Sequence, residues 1–179
     1  MAKKFSYYSF RYLYAAIEAL KKDVDFSEAK LSQKLSLYIF AAFTYESFLN
    51  HAGHYVCRSW DEHLKSKLGP TEKMAFLCEV AKIEPNYGES PFQTFRSIMK
   101  LRNKLAHAET EYLPFDEMKH ANPENWPKPK WQMIIDELDA KRVISDLEEI
   151  ISTVEKALGL PPVPSLLLME VVKVPGNDV

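Results

Sequence analysis

The sequence predicts an all-α protein, an antiparallel bundle of about five helices with a long loop before the last helix and an extended C-terminal tail. Two observations carry that prediction. Apolar residues recur three and four positions apart along most of the chain, the spacing that gathers them on one face of a helix. Stretches with the alternation of a half-buried strand are scarce, and cap and breaker residues fall where the helical spacing stops.

Residues 6 to 22 carry Tyr7, Phe10, Tyr14, Ile17 and Leu20 on one face, which makes the first helix. Ser27 is placed to cap a second and longer one, with Leu31, Leu35, Tyr38, Ala42, Tyr45, Phe48, Leu49 and Ala52 as its apolar series. Ser59, followed three residues later by Glu62, fits a capping box that opens a short helix ending near Gly69 and Pro70. The next helix turns Met74, Leu77, Cys78 and Ala81 inward. "EPNYGESPF" reads as a loop, and Ser90-Pro91 supplies an N-cap and a proline at the first helical position.

From 109 to 130 the chain is polar, holds four of the eleven prolines and has no helical period, the mark of a long and often functional excursion. Asp139 then caps the clearest helix, whose apolar residues fall at 140, 143, 144, 147, 150, 151, 154, 157 and 158 before Gly159 and Pro161-Pro162 end it. The expected division is a helical domain over 1–160 and an extended tail over 161–179. That tail, "SLLLMEVVKVPGNDV", is β-branched and reads as a strand or an arm on a partner, with "WQMII" at 131–135 as a neighbour for it.

With 46% hydrophobic and 27% charged residues, the chain has the composition of one globular domain. A net charge of −2 argues against coating nucleic acid through a bulk positive field, so any anion site must be local. Cys57 and Cys78 lack CxxC spacing, and "MAKKFSYYSF" has no apolar run of signal-peptide length, so the expected setting is a reducing cytoplasm. "LYIFAAF" and "SLLLME" are far shorter than the roughly 20 residues a membrane span needs. No membrane association is expected.

The stretch with the most chemistry is "FRSIMKLRNKLAHAETEY", residues 95 to 112. On a helix, Phe92, Phe95, Ile98, Met99, Leu101, Leu105 and Ala106 fill one half of the circumference, and Arg102 falls near its middle. Arg96, Lys100, Asn103 and His107 lie together along one edge. No acid occurs between Glu89 and Glu109, so Arg96, Lys100, Arg102 and Lys104 concentrate positive charge in an otherwise slightly acidic chain. A buried, unpaired guanidinium costs several kcal/mol, so Arg102 must meet a carboxylate, reach water in a cleft, or face a partner subunit. The plain reading is an internal ion pair, with Glu46 on the second helix as its partner. Glu46, Asn50 and His54 share one helical face, which either lines a cleft beside Arg102 or is a solvated stripe.

"LRNKLAHA" resembles the Arg-x4-His signature of HEPN domains, with Asn103 as the polar residue directly after the arginine. "FAAFTYESFLNHAG" and "GPTEKMAFL" are similar to the helices that precede the motif in that family, and the resemblance spans roughly residues 7 to 158. It implies a HEPN-like bundle that forms a homodimer with the two motifs facing each other. In many members such a cleft is a metal-independent endoribonuclease, needing no cofactor. The resemblance points to Arg102, His107 and Asn103 for catalysis; the cations Arg96, Lys100 and Lys104 would then guide the RNA backbone, and Glu46 and Asn50, from their shared helical face, would line the cleft. It also suggests toxin-like or antiviral defence, with an antitoxin or defence protein as a possible partner.

The residue types suit that reaction. RNA carries its own nucleophile in the 2′-hydroxyl, so cleavage needs a group that moves protons near neutral pH and a cation that steadies the phosphorane. Imidazole and guanidinium serve those two roles. On a regular helix, however, Arg102 and His107 point about 140° apart, so convergence on one phosphate needs a break near the histidine or a second protomer. In toxins of this family paired with a nucleotidyltransferase antitoxin, a tyrosine often stands two residues after the histidine; here Glu109 is there, and the nearest tyrosine is Tyr112. A second reading keeps the bundle and uses the cationic cleft to bind nucleotide, RNA or a partner protein without chemistry.

Other groupings are weaker. His51, His54 and Cys57 are spaced three apart, which spreads His51 and Cys57 about 120° around the axis and disfavours a zinc site. Tyr7, Tyr8, Phe10, Tyr12 and Tyr14 with Lys3, Lys4 and Arg11 suit base stacking or, more plainly, a core face. GxGxxG, Walker and GxSxG patterns are all missing from the sequence.

Overall fold

Helix α2, Leu31–Val56, is the axis of the molecule, and every other described helix packs against it. The structure is a computed structural model that describes residues 3–7, 9–107, 122, 126–160 and 169–173. Around α2 stand α1 (Ser9–Asp23), a π-helical turn (Trp60–Leu64), α3 (Pro70–Ala81), α4 (Phe92–Ala106), α5 (Lys130–Glu137) and α6 (Ala140–Ala157). The all-α bundle expected from the sequence is what forms.

The central place of α2 follows from its side chains. Leu37, Tyr38, Ala41, Ala42, Tyr45, Phe48, Leu49 and Ala52 are all buried, on more than one face, as a helix surrounded by others requires. Each large side chain removed from water contributes about 1.5–3 kcal/mol. Small Ala41, Ala42 and Ala52 let neighbouring helices approach. Helices α1 and α6 run antiparallel, tied near opposite ends by Arg11–Glu155 at 2.9 Å and Lys21–Glu148 at 3.7 Å. The Tyr38 hydroxyl donates to the Leu138 carbonyl at 2.8 Å, pinning the α5–α6 junction to α2.

Several boundaries depart from the sequence expectation for physical reasons. Ser27 does not cap α2, because its hydroxyl and amide both donate to Oδ1 of Asp25 and close a turn there. The helix starts at Leu31, where the Gln33 side chain accepts from the Lys30 amide. Ser59 gives no side-chain cap, and the segment after it is a π turn in which the Lys65 amide reaches back to the Trp60 carbonyl. Pro91 occupies the cap position of α4 and Phe92 is its first residue. The "WQMII" stretch is helical within α5, burying Ile134 and Ile135, so it is no strand neighbour for the tail. Strand β2, Met169–Lys173, instead pairs antiparallel with β1, Lys3–Tyr7, with Phe5 opposite Val171.

Asp139 caps α6 as expected, accepting from the Arg142 amide at 2.7 Å, and Gly159 adopts φ 62 just past its end. The helical stretch of α5 places a further element between the proline-rich excursion and the last helix. Most of that excursion, Glu109 and Tyr112 included, lies outside the described residues, as do Tyr8 and most of the tail. Among the described residues no helix is long and apolar enough to cross a membrane.

Candidate functional site

Helix α4 is fixed at its start and presents its chemistry toward its end. Gln93 donates its amide to the Glu89 carbonyl at 2.7 Å, while Ser90 Oγ donates to Oδ1 of buried Asp146 at 2.6 Å and Thr94 Oγ1 donates to Oδ2 of the same carboxylate. Phe92, Phe95, Ile98, Met99 and Leu101 are buried below, and the Phe95 ring meets Tyr45 of α2 edge-on at 5.1 Å. The register of the last two turns is therefore set by packing.

Arg102 interrupts the buried stripe, and α2 answers it. Its Nε lies 2.8 Å from Oε1 of Glu46 and its Nη2 donates to Oε2 at 3.3 Å, so the carboxylate takes one side of the guanidinium fork. The Nε contact is close but out of line as a hydrogen bond, and the ion pair is carried by charge as much as by geometry. Nη1 donates to Oδ1 of the adjacent Asn103 at 3.1 Å. The side chains of Arg102 and Glu46 remain 28% and 23% accessible, so the pair is at the edge of the core. A guanidinium has five N–H donors, and two are left over after these contacts.

Asn50 follows Glu46 by one helical turn, and its Oδ1 accepts from Lys73 Nζ of α3 at 2.8 Å. Lys73 is only 9% exposed. Burial lowers its pKa below the ordinary 10.5, Glu46 pulls the other way, and Lys65 adds repulsion. Glu46, Asn50, Lys73, Arg102 and Asn103 thus form one polar cluster across α2, α3 and α4. Lys73 is absent from the residues expected from sequence. The available signal was its position four residues before Leu77, on the edge of the inward stripe of α3.

His107 is the first residue past α4. Its φ of −117 and ψ of 38 are not helical, its amide donates to the Asn103 carbonyl at 3.0 Å, and its side chain is exposed. The regular helix that would hold Arg102 and His107 apart therefore ends between them. Among the described residues the imidazole has no hydrogen-bond or ionic partner. Arg96, Lys100 and Lys104 are exposed and make no ion pair with a described residue. The structure thus brings Arg102, Asn103, Glu46 and Asn50 together and leaves Arg96, Lys100, Lys104 and His107 on the open surface of the same helix.

Comparison with protein-family models, with curated proteins and with solved structures finds no match for this chain. Its function must be argued from its residues.

The other grouping on α2 disperses. His54 Nδ1 pairs with Asp61 Oδ2 at 2.6 Å, and the His51 ring packs against Phe10 at 5.3 Å between centroids. Phe10 is buried against Phe48 and Tyr12 is 44% exposed, so the α1 aromatics split between core and surface. Among the described residues no three His, Cys, Asp or Glu side chains converge as a metal site.

Proposed function

We propose that this protein is a metal-independent endoribonuclease of HEPN type that works as a homodimer in toxin-like or antiviral defence. The observation that carries the reading is Arg102, held by Glu46 and Asn103 at the edge of the core with donors to spare, five residues before an exposed His107 that has left the helix. A guanidinium so placed suits a phosphodiester oxygen in a site with its own orienting carboxylate. The imidazole supplies the proton transfer to or from the 2′-oxygen and the leaving 5′-oxygen. Arg96, Lys100 and Lys104, on the exposed side of α4, suit the flanking backbone. A second protomer completes the cleft, because the exposed histidine at the end of α4 has no described residue to orient it.

The rival reading is a non-catalytic module that binds nucleotide, RNA or a partner protein. Two observations favour it. Glu46 already occupies one side of the Arg102 fork, as in a structural ion pair, and no described residue fixes the tautomer of His107.

Purified protein incubated with total RNA in EDTA separates the two. Cleavage that is lost in both Arg102→Ala and His107→Ala supports the enzyme. Intact RNA after incubation with folded, dimeric protein sinks it and leaves the binding module. A monomer by light scattering at micromolar concentration removes the shared cleft.

A further inference from the structure

The cluster around Glu46 contains two cations and one carboxylate. Arg102 holds that carboxylate from α4, while Lys73 enters from α3 and meets Asn50, one turn further along α2. The lysine is nine-tenths buried, yet its ammonium, which carries three donors, has one hydrogen-bond acceptor, Asn50 Oδ1, among the described residues. Burying a charge so sparsely bonded is costly unless an opposite charge lies near, and Glu46 is the carboxylate that acts on this lysine. One positive charge is left after Glu46 is balanced. A single phosphodiester neutralises it.

We propose that Lys73 is a positioning residue of the anion site, held by Asn50 so that its charge balances Glu46 and leaves the remaining donors of the Glu46-held Arg102 guanidinium to bind an RNA phosphodiester. The inference rests on the ribonucleic-acid reading of the site and adds to it a residue on a third helix. Without Lys73, Glu46 and Arg102 neutralise each other and the site loses its net attraction for phosphate. With Lys73 charged, the carboxylate orients the guanidinium without cancelling the site. The groups that act on the lysine are Glu46 and Asn50 from α2 and Lys65 from the segment before α3.

A fluorescein-labelled 2′-O-methyl RNA oligonucleotide, which lacks the nucleophile for cleavage, reports binding by fluorescence anisotropy. Lys73→Met should bind about tenfold more weakly than the parent, the scale of removing one nearby charge from the site. Lys73→Arg should restore affinity to within about twofold, because a guanidinium keeps the charge. Parent affinity should also fall as pH rises through the lowered titration of Lys73, below the ordinary 10.5. Lys73→Arg should lack that step.

Parent-like binding by folded Lys73→Met overturns the inference. So does a parent without the alkaline step, or a Lys73→Arg as weak as Lys73→Met, which would assign the loss to packing. Arg102→Ala separates this from the reading beneath it. If Arg102→Ala binds like the parent, the anion site itself is wrong; if Arg102→Ala is weak and Lys73→Met is not, only Lys73 is overturned.

Discussion

Arg102 Nε lies 2.8 Å from Glu46 Oε1, and this pair joins α4 to α2 at the point where the apolar stripe of α4 is interrupted. It gives the guanidinium a fixed direction, and it makes α2 part of any site that α4 builds. Glu46 and Asn50 share a face of α2, so the same helix that centres the core also supplies the polar floor of the cluster.

Removing Arg102 should therefore affect stability as well as activity. Arg102→Ala strands a carboxylate that is 23% accessible, a loss of about 1–2 kcal/mol given partial solvation. For a domain of this size that lowers the melting temperature by a few degrees, about 2–4 °C per kcal/mol. RNA cleavage should be abolished in the same variant. Arg102→Lys should recover most of the stability and little of the cleavage, since an ammonium cannot present the fork. Calorimetry and a cleavage assay on the same preparations check both halves.

His107 predicts the opposite pattern. Its side chain is exposed and bonded to no described residue, so His107→Ala should leave unfolding within about 0.5 kcal/mol of the parent. Cleavage should still disappear. A destabilised His107→Ala would show that the imidazole has a structural partner, and unimpaired cleavage would remove it from the chemistry.

Asp146 is a structural determinant of the same site. It is buried on α6 and accepts from Ser90 and Thr94 at the start of α4, with Arg142 Nε 3.5 Å away. Asp146→Ala leaves two hydroxyls without their acceptor and should cost about 2–4 kcal/mol in urea denaturation. Asp146→Asn, which keeps one oxygen acceptor, should cost less. Equal stability of Asp146→Ala and parent would show that water replaces the carboxylate.

What was legible in the sequence depends on how local the cause is. The stripe of α6 was plain because Val143, Ile144, Leu147, Ile150, Ile151 and Val154 are all buried on one face. The Glu46–Arg102 pair was legible too, since a cation in an apolar stripe demands an acid and α2 offers one at the right height. Ser27 misled because its hydroxyl, which could cap a helix, donates instead to Asp25 Oδ1, the same oxygen that closes an Asx turn with the Ser27 amide. Residues 131–135 are too few to distinguish a buried strand from a short helix by period. The pairing of Lys3–Tyr7 with Met169–Lys173 joins the two ends of the chain, and no local pattern records it. Lys73 was missed because lysine is usually exposed, and its acceptor lies on another helix 23 residues earlier.

Gly53 marks a contact that sequence does not reveal. A Cβ built there would lie 2.2 Å from Trp60 Cε2, because the indole rests on the bare backbone of α2. Gly53→Val should cost about 1–3 kcal/mol or more and shift the tryptophan emission as Trp60 is displaced toward solvent. Unchanged emission with unchanged stability would mean that the π turn carrying Trp60 moves away freely.

The pH dependence of stability should include a contribution from His51. Burial lowers its pKa below the ordinary 6.5, and His54 and Arg11 add repulsion against the protonated form. The unfolded chain therefore takes up a proton at higher pH than the native state does. The stability linked to His51 is fully present above about pH 6.5 and is lost as pH falls from there through the lowered folded value. Between about pH 7.5 and about pH 5.5 the parent should lose stability in urea denaturation, and His51→Gln, which cannot titrate, should lose less. A His51→Gln curve that runs parallel to the parent over this range would assign the acid sensitivity to other groups. The packing of the His51 ring against Phe10 predicts a cost at every pH, because the glutamine side chain does not reproduce that aromatic contact. The two effects separate cleanly, since the lost packing lowers the whole curve while the lost titration changes only its slope.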